Sequence, residues 1–210
     1  MFDFPSATVV HRRMPKEAFY KNLSLSPALK DKFVSDIDRI YVENSFTQEN
    51  LNLTAASEIE EILLLSLTLK NQSYDSKIIE AIARQNLHKL IFQVGCGDKS
   101  RLVLYQGKLY QTQWQDDSEM SLKLDGFSLD DIWNSFVEQI ALYEERADNT
   151  EGLSMDERLA LQAQILRLEK LIEKTENAAW KEQQPKKQFE LYTCLRGYRQ
   201  ELEELKNGKA

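Results

Sequence analysis

Residues able to do chemistry are sparse and scattered. His11, His88, Cys96 and Cys194 are the only histidines and cysteines in the chain. No two of them stand at the paired spacing from which zinc sites are built. No metal-ligand set and no cofactor is expected. Nucleophilic hydrolysis is no better supplied. There is no Gly-x-Ser-x-Gly elbow, and two histidines give little scope for a general base. The segment Gly95-Cys96-Gly97-Asp98-Lys99-Ser100 echoes the end of a phosphate-binding loop. However, Asp98 separates the Gly from the Lys, and position 92 is Phe where that loop has Gly. An acid in the cradle repels phosphate, so the segment reads as a turn between strands. No catalytic residue is assigned.

The strongest charge asymmetry lies near the C-terminus. Over residues 181–200, Lys181, Lys186, Lys187, Arg196 and Arg199 outnumber Glu182 and Glu190. The whole chain carries 27 Lys and Arg against 34 Asp and Glu, a net charge of −7. A basic coat for nucleic acid is therefore excluded, but a local basic tip is not. The tip could meet phosphate or an acidic partner, or serve only as a solubilising surface. Trp180 and Phe189 flank it. They could pack on one another or offer an exposed anchor. Asp116, Asp117 and Glu119 read as a solvated loop, and Asp130 and Asp131 as the start of a helix.

Elements must position these residues. At 210 residues, the chain has room for one ordinary domain and an appendage. Apolar residues make up 42% and charged residues 29%, enough for a core and a solvated surface. With 7 Gly and 4 Pro, long helices and strands are favoured over a fold of tight turns. Two distant cysteines suit a reduced compartment. The N-terminal stretch lacks the basic start and apolar run of a signal peptide. The longest aliphatic run is Ile62–Leu65, ended by Ser66, far short of a membrane span. A cytoplasmic protein with no membrane contact is expected.

The fold class expected is α/β: a mixed β-sheet domain with flanking helices over residues 1–143, a linker over 144–153, and an antiparallel, coiled-coil-like helical hairpin over 154–210. Residues 1–14 read as an extended arm. Helices follow from Lys16 to Leu23, opened by Pro15, and from Pro27 to Val34. Alternation across DRIYVENSFT marks a strand, and NLNLT (50–54) a short second one. The stretch 59–70 has Leu63, Leu65, Leu67 and Leu69 on one face and Ile62 and Leu64 on the other. That reads as a central strand covered on both sides. Ser76–Gln85 is a helix with Ile78, Ile79 and Ile82 inward. The strand KLIFQV follows, then a hairpin around Gln106-Gly107. MSLKL (120–124) is expected to add an edge strand. Ser128 caps a helix carrying Asp130 and Asp131 in its first turn.

Composition changes after Tyr143. Leu161, Ile165, Leu168 and Ile172 recur at spacings of four, three and four. Leu191, Leu195, Tyr198, Leu202 and Leu205 recur at four, three, four and three. Pro185 breaks the chain between them. Two such seams with a short connection make an antiparallel hairpin. Two short helices leave an apolar flank that something else must cover.

Two resemblances bear on function. The order helix, strand, strand, strand, helix, strand from Lys16 to Val94 resembles the core of PD-(D/E)xK nucleases. There a Lys follows an acid by two residues on the third strand, and an earlier acid helps hold a metal. Here that strand ends Thr68-Leu69-Lys70, so Thr stands at the acid position, with Asp36 or Asp38 as the earlier acid. The resemblance implies a divergent, inactive nuclease-like domain. The segments FPSATVVHRRMPKEAFYKN, IDRIYVENSF, EIEEILLLSLTLK with SKIIEAIARQNLHKLIFQV, and LRLEKLIEKTENAAWKEQQPKKQFELYTCLRGYRQELEEL together resemble the bacterial family called domain of unknown function 4391. Members of that family tend to lie beside helicases and DNA methyltransferases in genome-defence or modification loci. The resemblance implies an accessory role with those enzymes, and it supplies no catalytic residues.

The expected function is therefore a non-catalytic accessory or interaction protein. Its expected partner is a helicase or DNA methyltransferase, or a second copy of the chain. The alternatives are the nuclease-like domain and a nucleic-acid-binding module that uses the basic tip.

Overall fold

The computed structural model describes residues 2–143, 150 and 152–207, with the side chains of residues 20–22 left aside. The chain divides into two compact units, Met1–Tyr143 and Glu144–Ala210. Among the described residues of the first unit, seven strands form one mixed sheet. They are β1 (Val9–Arg13), β2 (Ile37–Thr47), β3 (Glu61–Leu69), β4 (Lys89–Cys96), β5 (Lys99–Gln106), β6 (Lys108–Gln111) and the two-residue β7 (Gln115–Asp116). The strands lie in sequence order from β1 to β6, and β7 also pairs with β5. The β3–β4 pair is parallel and every other pair antiparallel. The crossover between β3 and β4 is helix α3 (Lys77–Gln85).

Register explains the core. Leu65 lies between Val42 of β2 and Phe92 of β4, and Leu67 between Ile40 and Val94. Registered neighbours point to one face. That face is covered by α2 (Pro27–Asp36) and α3, through Phe33, Ile78, Ile79 and Ile82. Ile62 and Leu64 point the other way, with Phe46, Ile91 and Leu104. Their cover is α4 (Leu129–Ala141), whose Phe136 ring lies 5.7 Å from Phe46. Each such side chain contributes about 1.5–3 kcal/mol on burial. With apolar residues on both faces, β3 is the interior strand its sequence predicts.

Helix ends follow the sequence. Ser128 and Asp131 form a reciprocal capping box at α4. Ser26 accepts from the Leu29 amide at 3.3 Å ahead of Pro27, and α1 (Lys16–Asn22) starts after Pro15.

Three expected elements differ. Of the extended arm expected over residues 1–14, the described part carries a helical turn and a paired strand. A 3-10 turn over Ser6–Thr8 leads into β1, which pairs with β2 and is exposed along its length. NLNLT is a turn, not a strand. The Asn50 Oδ1 accepts from the Thr47 amide at 3.0 Å, while its amide group donates to the Ser45 carbonyl at 2.7 Å. Such side-chain bonds close a turn and displace strand pairing. MSLKL is also not a strand. The Lys123 amide donates to Gln139 Oε1 and its carbonyl accepts from Gln139 Nε2, both at 2.8 Å. A side chain of α4 thus satisfies the backbone that an edge strand would have paired. Met120 and Leu122 are buried all the same.

The second unit contains α5 (Met155–Lys181) and α6 (Pro185–Lys206), which pack on one another. Ser154 and Glu157 form a capping box on α5, and that bonding holds the Glu157 carboxyl below its usual pKa. Pro185 occupies the first turn of α6. Lys206 pairs with Glu169 at 3.1 Å, and Arg199 pairs with Glu176. These pairs bridge the two antiparallel helices. Of the expected linker 144–153, residues 144–149 and 151 lie outside the described residues, as do 208–210 of the hairpin.

Candidate functional site

The chemistry-bearing residues are placed by ordinary structural needs. Gly95–Ser100 is a β-hairpin. Gly97, at φ 64°, and Asp98 turn the chain from β4 into β5. The left-handed conformation is why glycine stands there. Ser100 is buried, and its Oγ lies 3.0 Å from where a Cβ on Gly95 would sit. Cys96 is half-buried in β4, Cys194 is exposed on α6, and both are free thiols. His88 faces Glu61 at 3.4 Å. Among the described residues, no group of three or more His, Cys, Asp or Glu is placed to hold a metal ion.

One polar cluster was not legible in the sequence. The β1–β2 register shifts between Val9 and Arg12, and the β2–β3 register between Val42 and Asn44. The residues in these two irregularities include His11 and Glu43, and the shifts turn them toward each other. His11, at φ 41°, stacks on Tyr41 with ring centroids 5.3 Å apart. Its Nδ1 lies 2.8 Å from Glu43 Oε2, while Ser66 Oγ donates to Glu43 Oε1 at 2.5 Å. The order is serine, carboxylate, imidazole. An activated serine needs the imidazole beside the hydroxyl, with the carboxylate behind it. Here the carboxylate stands in the middle, so the cluster ties β1, β2 and β3 together.

The residues that matched the nuclease pattern are also engaged structurally. Only two strands, β2 and β3, lie between Lys16 and α3, so the order of three strands does not form. Lys70 Nζ donates to the Val34 carbonyl at 2.9 Å, and the Lys70 amide to the Asp36 carbonyl at 2.9 Å. The Lys16 ammonium donates to the Ile37 carbonyl. Both ammonium groups thus cover carbonyls at the C-terminal end of α2, where cations are favoured. Burial, and then the charge of Lys70, lower the Lys16 pKa. Asp36 accepts from Ser35 at 2.6 Å and from the Asp75 amide at 3.2 Å. The hydrogen bond from Arg39 at 2.9 Å is the main cause that lowers the Asp38 pKa. Thr68 leaves the set without its second carboxylate. Lys70→Met is expected to cost no more than about 1 kcal/mol, the worth of one exposed carbonyl contact. A urea midpoint at unchanged slope measures it. A loss above about 3 kcal/mol would mean that Lys70 does more than cover α2.

The hairpin brings the seam residues together but leaves many of them incompletely covered. Ile165, Leu168 and Leu195 are buried. Leu161, Ile172, Leu191, Tyr198, Leu202 and Leu205 remain half-exposed. On α5 the inward row also includes Leu159, Gln162, Thr175 and Ala179. Gln and Thr do not register in an apolar count, though they continue the same spacing. Thr175 is accommodated by donating to the Leu171 carbonyl at 2.7 Å.

The basic residues are not one cluster. Lys181, Lys186 and Lys187 are exposed around the connection. Arg196 and Arg199 lie farther along α6, with Arg199 about 20 Å of helix from Lys186. Trp180 and Phe189 are both exposed, so they offer rings to solvent.

No helix among the described residues is long and apolar enough to cross a membrane. A family model described as a domain of unknown function (DUF4391) matches residues 2–202. No curated protein and no solved structure matches the chain.

Proposed function

We propose that this chain, which belongs to the family described as a domain of unknown function (DUF4391), is a non-catalytic accessory protein. It works with a helicase or a DNA methyltransferase in bacterial genome defence or DNA modification. The hairpin is its docking element. The observation that carries this reading is the incompletely covered seam. Six of the nine apolar residues along it stay half-exposed when α5 and α6 have packed. A row of aliphatic side chains at helical spacing, flanked by charge, is what a partner helix or groove recognises.

Ser66 donates to the Glu43 carboxylate, and Lys70 is held on an α2 carbonyl. The test uses the purified full chain with the purified helicase and methyltransferase encoded beside it. One of them is expected to co-elute with it in gel filtration. The chain alone is expected to cut neither DNA nor RNA with Mg²⁺ or Mn²⁺. Cleavage that survives repurification and is lost in Lys70→Ala would replace this reading with the nuclease one.

A further inference from the structure

The end of the hairpin exposes three aromatic rings that helix packing does not use. Trp180, in the last turn of α5, is 85% exposed. Phe189 and Tyr192, early in α6, are 73% and 50% exposed. Exposed aromatic surface on this scale marks a binding site.

Helical periodicity places the rings together. The Glu176–Arg199 ion pair fixes one side of the hairpin. Trp180 follows Glu176 by four residues, so it continues along that side of α5. Tyr192 and Arg196 precede Arg199 by seven and three residues, and Phe189 precedes Tyr192 by three. They continue along the same side of α6. Toward the connection, that side carries three rings and two arginines. Lys181, Lys186 and Lys187 are exposed at the connection itself.

We infer that this side of the hairpin binds single-stranded nucleic acid. Trp180, Phe189 and Tyr192 stack on bases, and Arg196 with the connection lysines meets phosphates. Two observations select this occupant. Across residues 168–207 the exposed large apolar side chains are these three rings, with no aliphatic one among them. A docked protein helix would want aliphatic surface, whereas a base wants a π face. The connection lysines and Arg196 also outnumber Glu182 and Glu190 here on a chain whose net charge is −7, so a polyanion finds its complement at this end. Duplex DNA offers no free base faces and is the weaker ligand.

The inference stands apart from protein docking, which uses the half-covered seam. The experiment measures anisotropy of a labelled oligo(dT) of roughly 15 nucleotides against the full chain. Binding is expected to fall roughly tenfold between 50 and 200 mM salt, as a few neutralised phosphates require. It is expected to fall about tenfold in Trp180→Ala and again in Tyr192→Ala, the worth of a lost stacking platform. Both positions are exposed, and unchanged circular dichroism verifies that the hairpin persists. Arg196→Glu weakens binding at low salt, while Leu166→Ala, on α5 away from the connection, leaves it unchanged. Oligo(dT) quenches the exposed Trp180 and spares the buried Trp133. Failure to bind, binding insensitive to salt, or affinity unchanged in Trp180→Ala with Tyr192→Ala would overturn the inference. Ring-dependent self-association without oligonucleotide binding would overturn it in favour of a protein contact. Partner capture by Trp180→Ala should persist, so this site and the docking seam are read separately.

Discussion

Leu65→Asp is expected to destabilise the sheet unit by about 4 kcal/mol or more, lowering its melting temperature by roughly 15 °C if it folds at all. Leu65 is 4% exposed and lies between Val42 and Phe92 on neighbouring strands. The helices on that face bring Ile78, Ile79 and Ile82 into the same cluster. A carboxylate there has no cation or amide to meet, because β3 exchanges its backbone bonds with β2 and β4. Leu65→Ala separates charge from volume, and its expected cost is about 3 kcal/mol from the cavity alone. Thermal melting of the soluble fraction reads both. An Asp variant that melts with the native chain would mean that β3 is not the interior strand.

Leu195→Glu together with Leu202→Glu is expected to melt the hairpin while leaving the sheet unit folded. Leu195 is 3% exposed and Leu202 half-exposed, seven residues apart on one seam. Two carboxylates there cannot stay hydrated while α5 lies against α6. Neither helix holds much structure alone, since an isolated helix draws most of its stability from packing. Far-UV circular dichroism should lose the contribution of α5 and α6, and a cooperative melt from the sheet unit should remain. Lys186→Glu with Lys187→Glu is the contrast. Both side chains are exposed at the connection, so helicity stays.

The elements most legible in the sequence are those whose backbone bonds follow their side-chain pattern. β3 reads directly from a run of leucines, α3 from Ile78, Ile79 and Ile82, and α4 from Ser128 and its acidic first turn. NLNLT and MSLKL carry the same alternation but form no strand. Asn50 draws the first into a turn by bonding the backbone of Thr47 and Ser45, and Gln139 takes the Lys123 backbone of the second; neither effect is visible in a hydrophobic pattern. β1 has no alternation to find because its whole length is exposed. The His11–Glu43–Ser66 cluster joins residues far apart in sequence through two register shifts, which no local spacing encodes. The seams were legible at their leucines and not at Gln162 or Thr175. The basic residues were legible as a count, but the count did not separate the connection lysines from Arg199, which pairs with Glu176.

Capture of the neighbouring enzyme is the measurement that bears most directly on the docking role of the hairpin. The full chain, the Leu195→Glu with Leu202→Glu variant, and the Lys186→Glu with Lys187→Glu variant are each presented to the purified helicase and methyltransferase. Light scattering reports complex mass on the same samples. The full chain and the lysine variant should retain one of the two enzymes, and the seam variant should lose it while its sheet unit still melts cooperatively. Capture at unchanged mass by the seam variant, with its helicity lost, would contradict the account.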